Sequence, residues 1–308
     1  MTLSICGAPC SWGVDDVNNP FLPPWRTVLD EAARAGYRAI ELGPYGYLPL
    51  DWELLAGQLQ ENGISIVAGT IFNDLVSRDN HANVMRQADE ICALITSLPP
   101  PPTLEGQRYP APYLTIMDWG HDERDYAAGH SDKAPRLDAS RWGDMAGHIR
   151  DICLKAREYG VRPVIHPHAG GYIEFPDEIE AVLRDIPKEI AGLCLDTGHL
   201  AYSGMDPAQW IRKCAPRMDY LHFKDINPLV YKDVMSKRIR FFEGCAEGSM
   251  CPIGTGCLDY VNISEALKEI GYCGYVTIEQ ERDPRNSQGR LEDIKRSIDY
   301  LKGKGYQI

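Results

Sequence analysis

Four short segments in the second half of the chain each close an apolar run with ionisable residues: His166-Pro167-His168, Asp196-Thr197-Gly198-His199, His222-Phe223-Lys224-Asp225 and Glu279-Gln280-Glu281. In an extended strand residues two apart face the same side, so three of these segments aim a pair of polar groups one way from a strand end. A single His or Asp there is more often a hydrogen-bonded structural group. Four in succession favour a shared cation, the economical way to hold several buried negative charges in one place.

Asp196, His222 and Glu279 are the expected ligands, each the first ionisable residue beyond its apolar run. The fourth falls within His166 to Glu174, which offers a strand-end histidine such as His168, or Glu174 carried back over the site by a glycine-containing turn. With Glu174 the set is three carboxylates and one imidazole, a hard site suiting one divalent ion, Mn2+ first and Mg2+ or Co2+ as alternatives. Ligand hardness therefore favours Glu174, with His168 the alternative.

Such residues need parallel strands that end at one face. Short apolar runs at Leu3 to Gly7, Ala39 to Leu42, Ser65 to Ala68, Tyr113 to Met117, Arg162 to His166, Gly192 to Asp196, Asp219 to Phe223 and Gly274 to Glu279 predict eight strands. Between them helical spacing runs over Pro24 to Ala35, Trp52 to Asn62, Ser140 to Tyr159 and Ile263 to Ile270, each stopped by glycine. Further helices are expected at Asn80 to Thr96, Pro176 to Arg184, Pro207 to Cys214 and Leu291 to Leu301. Eight βα units predict an α/β fold, a single (β/α)8 TIM barrel over residues 1–308, with active-site loops at the C-terminal ends of the strands. No Gly-x-Gly-x-x-Gly turn follows the first strand, which counts against a dinucleotide-binding sheet. Asp118 to Ala139 and Asp225 to Val261 are too long to be bare turns and are placed on the catalytic face.

Composition narrows the class. Hydrophobic residues make up 44% and charged residues 25% of the 308, an ordinary globular balance. The formal charge of −12 disfavours nucleic acid and acidic membranes as partners. No basic segment precedes an apolar run at Met1 to Gly7, and no apolar stretch is long enough to span a bilayer, so a cytoplasmic protein is expected. Ten scattered cysteines predict reduced thiols rather than a disulfide framework.

The motifs His-Pro-His, Leu-Asp-Thr-Gly-His, Leu-His-Phe-Lys-Asp and Ile-Glu-Gln-Glu resemble the strand ends of the xylose isomerase-like barrel superfamily, whose sugar isomerases and epimerases hold one divalent metal with Glu, Asp, His and Glu. Ala8-Pro9-Cys10-Ser11-Trp12-Gly13, Glu41 to Pro49 and Phe241 to Gly256 resemble its inosose dehydratase branch. One departure stands out: the epimerases have Glu at the fifth strand end, where this chain has His166 or His168. The resemblance implies an enzyme acting on a ketosugar or ketocyclitol, first a dehydratase and alternatively an isomerase or epimerase. A further alternative is a lyase on 3-keto glycosides with a small partner subunit, and a homo-oligomer also fits the resemblance. A non-catalytic sugar-binding barrel leaves the four ionisable strand ends unexplained.

A metal that chelates a carbonyl acidifies the neighbouring carbon, and a base and an acid complete the chemistry. His166 and His168 are the leading proton-transfer candidates, since imidazole titrates near neutral pH. Lys224 is a candidate to neutralise an oxyanion or donate to a leaving hydroxyl, or simply to pair with a ligand carboxylate. Glu41, at the second strand end, is a candidate base or hydroxyl-binding group. His199 and Glu281 are placed beside the ligands or substrate, and Trp12, Tyr45 and Tyr47 are candidates for an apolar wall against a polyol ring.

Overall fold

Each short apolar run becomes a strand in the computed structural model, which describes residues 2–286 and 289–306. The strands are β1 Leu3–Gly7, β2 Ala39–Ile40, β3 Ser65–Ile66, β4 Ala68–Asn73, β5 Tyr113–Asp118, β6 Arg162–Ile165, β7 Gly192–Asp196, β8 Met218–Phe223, β9 Asp225–Ile226, β10 Met250–Cys251 and β11 Gly274–Ile278. One nine-stranded sheet runs in the order β3-β2-β1-β11-β8-β7-β6-β5-β4, with parallel pairing throughout. β3 and β4 are one strand interrupted at Val67, whose N–H donates to Ile40 and whose carbonyl accepts from Tyr113. The two edges are therefore joined, and the sheet closes as an eight-position barrel.

The helices are α1 Trp25–Ala35, α2 Trp52–Asn62, α3 His81–Ser97, α4 Asp122–Asp125, α5 Ala139–Glu158, α6 Pro176–Asp185, α7 Thr197–Tyr202, α8 Pro207–Cys214, α9 Pro228–Lys237, α10 Phe241–Ala246, α11 Tyr260–Glu269 and α12 Arg290–Gly303. The glycine stops act as their positions predict: Gly36 and Gly63 cap α1 and α2 with φ of 101° and 64°. Outward strand residues such as Ile5, Ile40, Leu114, Ile165, Leu195, Leu221 and Val276 join the helices in the main core. A smaller cluster of Cys6, Val67, Tyr113, Val164, Cys194 and Tyr220 fills the barrel interior. Continuing each inward row by two residues takes Val164 to His166, Cys194 to Asp196, and Tyr220 to His222, which is how the barrel aims its strand-end groups at one point.

The long connections carry structure that their sequence did not announce: α4 in one, and α9, α10 and the antiparallel β9–β10 pair in the other. Asp225 pins the second, its carboxylate accepting from the backbone N–H groups of Ile226, Gly254, Gly256 and Leu258. A Cβ on Gly256 would lie 2.2 Å from Asp225 Oδ1, so this close approach requires glycine. The two connections clasp each other through Arg240, whose Nε is 2.6 Å from Asp125. Among the described residues no helix is long and apolar enough to cross a membrane.

Candidate active site

The register that aligns Asp196 with His222 across β7 and β8 places the strand-end groups side by side. One donor atom from each of His166, Asp196, His222 and Glu279 lies within 4.8 Å of the others. His222 Nδ1 is 3.1 Å from Glu279 Oε2 and 3.8 Å from Asp196 Oδ2, and His166 Nε2 is 3.7 Å from the same Oδ2. Asp196 divides its oxygens: Oδ1 accepts from the Gly198 and His199 N–H groups at the start of α7, leaving Oδ2 for the cluster. Gly198 is required there, because a Cβ would lie 2.4 Å from Lys224 Cβ.

The group fits a divalent ion. Both ring nitrogens of His166 are buried without a hydrogen-bond partner, which buried polar groups rarely tolerate, while those of His222 face the Glu41 and Glu279 carboxylates. Burial holds His166 below the ordinary imidazole value, in the neutral form that ligation needs. Donor separations of 3.1 to 3.8 Å are those of atoms around one cation at bond lengths of about 2.0–2.2 Å.

Lys224 sits beside this set and is wholly buried. Its Nζ donates to Asp196 Oδ2 at 2.8 Å and to Glu279 Oε2, and lies 3.0 Å from Glu281 Oε1. Burial opposes its charge, but Asp196, Glu279 and Glu281 hold its pKa well above the usual lysine value. Burial pushes Glu281 up to about 7 against the opposing pull of Lys224, and its Oε2 has no partner. Glu41 accepts from Tyr220 Oη at 2.7 Å and lies 2.8 Å from His222 Nε2.

A cavity of about 470 Å3 opens over these groups. Glu41, Glu279 and Glu281, with His168 beside them, form its charged end, Tyr45, Phe72, Ile91, Met117, Val14, Val17 and Phe242 an apolar wall, and Asp15, Asp16, Asn18, Thr70, Asn73 and Gln87 the rest of its polar lining. His168 Nδ1 is 2.9 Å from the Ala169 carbonyl, which can only accept. Nδ1 therefore carries the proton and Nε2 offers a lone pair. Burial keeps this imidazole neutral.

Four expected site residues, Glu174, Trp12, Tyr47 and His199, lie elsewhere. Glu174 does not join the four donors: its Oε1 accepts from Gly129 N–H and Ser203 Oγ, and its Oε2 from Gly170 N–H and Arg124. The reason is the turn at Gly170, φ 91°, which folds residues 169–173 back so that His168 N–H donates to Ile173 O. His166, not His168 or Glu174, stands with the other three. Trp12 is fully buried and donates from Nε1 to Glu31, because the 3-10 turn Pro9–Trp12 and Gly13 direct it into the core. Of the expected aromatic wall only Tyr45 lines the cavity; Tyr47 donates instead to the Pro23 carbonyl. His199 does not line it either: its Nδ1 accepts the Ala169 N–H, and its ring centre lies 4.0 Å from that of His168. Sequence reading missed Phe72, Phe242 and Cys10. Burial, then the charges of Glu279 and Glu281, raise the Cys10 thiol well above its ordinary value.

Residues 29–304 match the model of the xylose isomerase-like TIM barrel family. The chain belongs to that family. Among relatives, the rhizopine catabolism protein MocC of Rhizobium meliloti is 28% identical over 93% of this chain and 84% of its own length. An inosose dehydratase of Geobacillus kaustophilus is 28% identical over 90% of this chain and 87% of its own. Solved structures of similar xylose isomerase-like fold include the IOLI protein with a bound zinc atom, at TM-score 0.71 and 16% identity over 99% of this chain and 100% of that one. A D-allulose 3-epimerase from Methylomonas in complex with D-allulose aligns at TM-score 0.69 and 16% identity, over 98% of this chain and 97% of that one. These two likenesses bear on the fold alone.

Proposed function

We propose that this chain is a divalent-metal-dependent hydro-lyase of the inosose dehydratase type, removing a proton beside the carbonyl of a ketocyclitol or ketosugar and expelling water. The observation that carries the reading is the convergence of His166, Asp196, His222 and Glu279, with the His166 ring nitrogens buried and unpartnered, at the charged end of a ligand-sized cavity. Relatives named inosose dehydratase support the same reaction. A divalent ion held by those four residues would polarise a substrate carbonyl and acidify the carbon beside it.

The chain's own groups supply the rest. His168 Nε2, with its lone pair and its place on the cavity wall, takes the proton from that carbon. The electron pair of the broken C–H bond forms the new carbon–carbon double bond as the β-hydroxyl leaves. Glu281 Oε2, unpartnered on the same wall, is the group placed to protonate that hydroxyl, so that it departs as water. Lys224 keeps Asp196, Glu279 and Glu281 from repelling one another, and Glu41, fixed by Tyr220, is placed to accept from a substrate hydroxyl. Two imidazoles in the donor set move the ion preference from hard Mg2+ toward Mn2+, Co2+ or Zn2+. Ten free cysteines support a reducing, cytoplasmic setting.

The test is incubation with 2-keto-myo-inositol and each of Mn2+, Co2+, Zn2+ and Mg2+, followed by mass spectrometry. Loss of one water is the expected outcome. Uptake of solvent deuterium without loss of water would replace the dehydratase by an isomerase or epimerase. Activity that appears only with a co-expressed small subunit, on a 3-keto glycoside, would replace it by a lyase of that class.

A further inference from the structure

The cavity is larger than a free polyol needs, and one part of it is apolar. Its volume of about 470 Å3 exceeds that of a ring of six carbons and six oxygens, which displaces roughly seven waters of about 30 Å3 each. Away from the charged end, part of the surface is a continuous aromatic and aliphatic wall. Phe72 stacks on Trp119 with ring centres 5.2 Å apart and interplanar angle 21°, and Phe242 meets both rings nearly edge-on at 6.1 and 5.0 Å. Phe72 also lies 5.0 Å from the His168 ring, so the wall begins beside the proposed base.

Thr70, Asn73, Gln87 and Asn18 also line the cavity and can take hydroxyls, but a hydroxyl directed at the Phe72 and Phe242 faces would give up water without gaining a partner, an unfavourable exchange. Val17 and Phe21 continue the apolar character to the rim, 41% and 58% exposed. A second cavity of about 430 Å3 adjoins the first, sharing Asp15, Asp16, Asn18, Phe242 and Glu281. The cleft therefore runs on past the space that one ring fills.

We infer that the ring on which this enzyme acts carries a flat apolar substituent, seated against Phe72 and Phe242 while the polyol portion lies at the charged end. This rests on the proposed reaction at the same site and names its substrate class: a mono-substituted ketocyclitol or ketosugar whose substituent stays attached through the loss of water. Aromatic faces reward a flat partner through burial and ring–ring geometry, and an anchor of this kind holds the reacting carbon without contributing to the chemistry.

The experiment is calorimetric titration of the metal-loaded protein with 2-keto-myo-inositol and with each of its mono-O-benzyl ethers. At least one ether is expected to bind tenfold or more tightly than the parent. Phe72→Ala should cut that advantage, the ratio of ether to parent affinity, to twofold or less. Phe242→Ala, at a half-buried position, repeats the test if Phe72→Ala does not fold. The inference is overturned if no ether binds more tightly than the parent, or if the advantage survives both substitutions. Because the readout is binding, its failure is separate from failure of the proposed reaction, which shows as parent ketone bound without loss of water.

Discussion

Two buried clusters of charge lie on the same face of the barrel and answer opposite needs. Around Arg124, every carboxylate oxygen has a donor: Glu174 takes Gly129 N–H, Gly170 N–H, Ser203 Oγ and Arg124, while Glu178 takes Arg124 and the N–H groups of Glu174 and Phe175. Around Asp196, both ring nitrogens of His166, Nε2 of His199 and one carboxylate oxygen of Glu281 have none. Both clusters combine acids and bases at zero or near-zero exposure, so burial and residue type do not tell them apart. Saturation does: a cluster that uses every lone pair fixes the fold, and one that keeps lone pairs free is arranged for something that arrives later.

The largest effect should come from the unsaturated cluster. Asp196→Asn removes a proposed ligand charge worth several kcal/mol of transition-state stabilisation, so activity should fall by about 10³-fold. Metal content by elemental analysis should fall with it, and unimpaired content would remove the metal site. Arg124→Met should do the reverse. It leaves Glu174 and Glu178 buried without their cation, which costs about 3–5 kcal/mol in unfolding free energy. The metal content of the folded fraction should stay at wild-type level, and a loss of metal equal to that of Asp196→Asn would erase the contrast between the clusters.

That contrast also shows where the sequence was legible. Apolar runs and glycine stops disclosed all eight barrel strands, because a buried parallel strand and a helix end are each written in a few adjacent residues. Asp196, His222 and Glu279 were legible by one rule, the first ionisable group beyond a strand. The same rule points to His166, whereas ligand hardness points to Glu174. What turns Glu174 away is only partly local: beside the turn at Gly170, its partners Gly129 N–H, Ser203 and Arg124 stand 29 to 50 positions away in sequence. The apolar wall was hidden for a similar reason. Phe72 lies on β4 beyond the predicted strand, and Phe242 in a long connection whose amphipathic period is too short to read. Trp12 looked like a wall residue until the left-handed Gly13, φ 82°, turned it inward.

A smaller effect distinguishes the two adjacent histidines. His168→Gln should lower kcat by roughly 10²-fold, the lower end of what a positioned base contributes. It should leave metal content unchanged, since His168 is outside the set of four donors. His166→Gln should lower metal affinity instead. Exchange of these two phenotypes would exchange the assigned roles.

The smallest effect belongs to a third cluster, Asp74, Asp118 and His121, whose donor atoms are as closely spaced as those of a metal site. Its carboxylates are already committed: Asp118 accepts from Leu75 and Tyr172 N–H, and Asp74 from Val76 and Ser77 N–H. His121 Nε2, 3.0 Å from Asp118 and 3.7 Å from Asp74, plays the cation's part. Burial alone would lower its pKa, but the hydrogen bond to Asp118 and the charges of Asp118, Asp74 and Glu123 outweigh it and hold the pKa above the ordinary imidazole value. The uncharged Tyr172 ring closes the other side. A raised folded-state pKa means that the folded protein binds the proton more tightly than the unfolded chain, so this stabilisation is complete below the unfolded value near 6.5 and is lost as pH rises through the folded one. Relative to His121→Gln, the wild type should be more stable at pH 5.5 than at pH 8.5 by about 1 kcal/mol, the ordinary net worth of one hydrogen bond. A stability difference that does not change with pH would mean that His121 is neutral in the fold, and would move this cluster from the saturated class toward the unsaturated one.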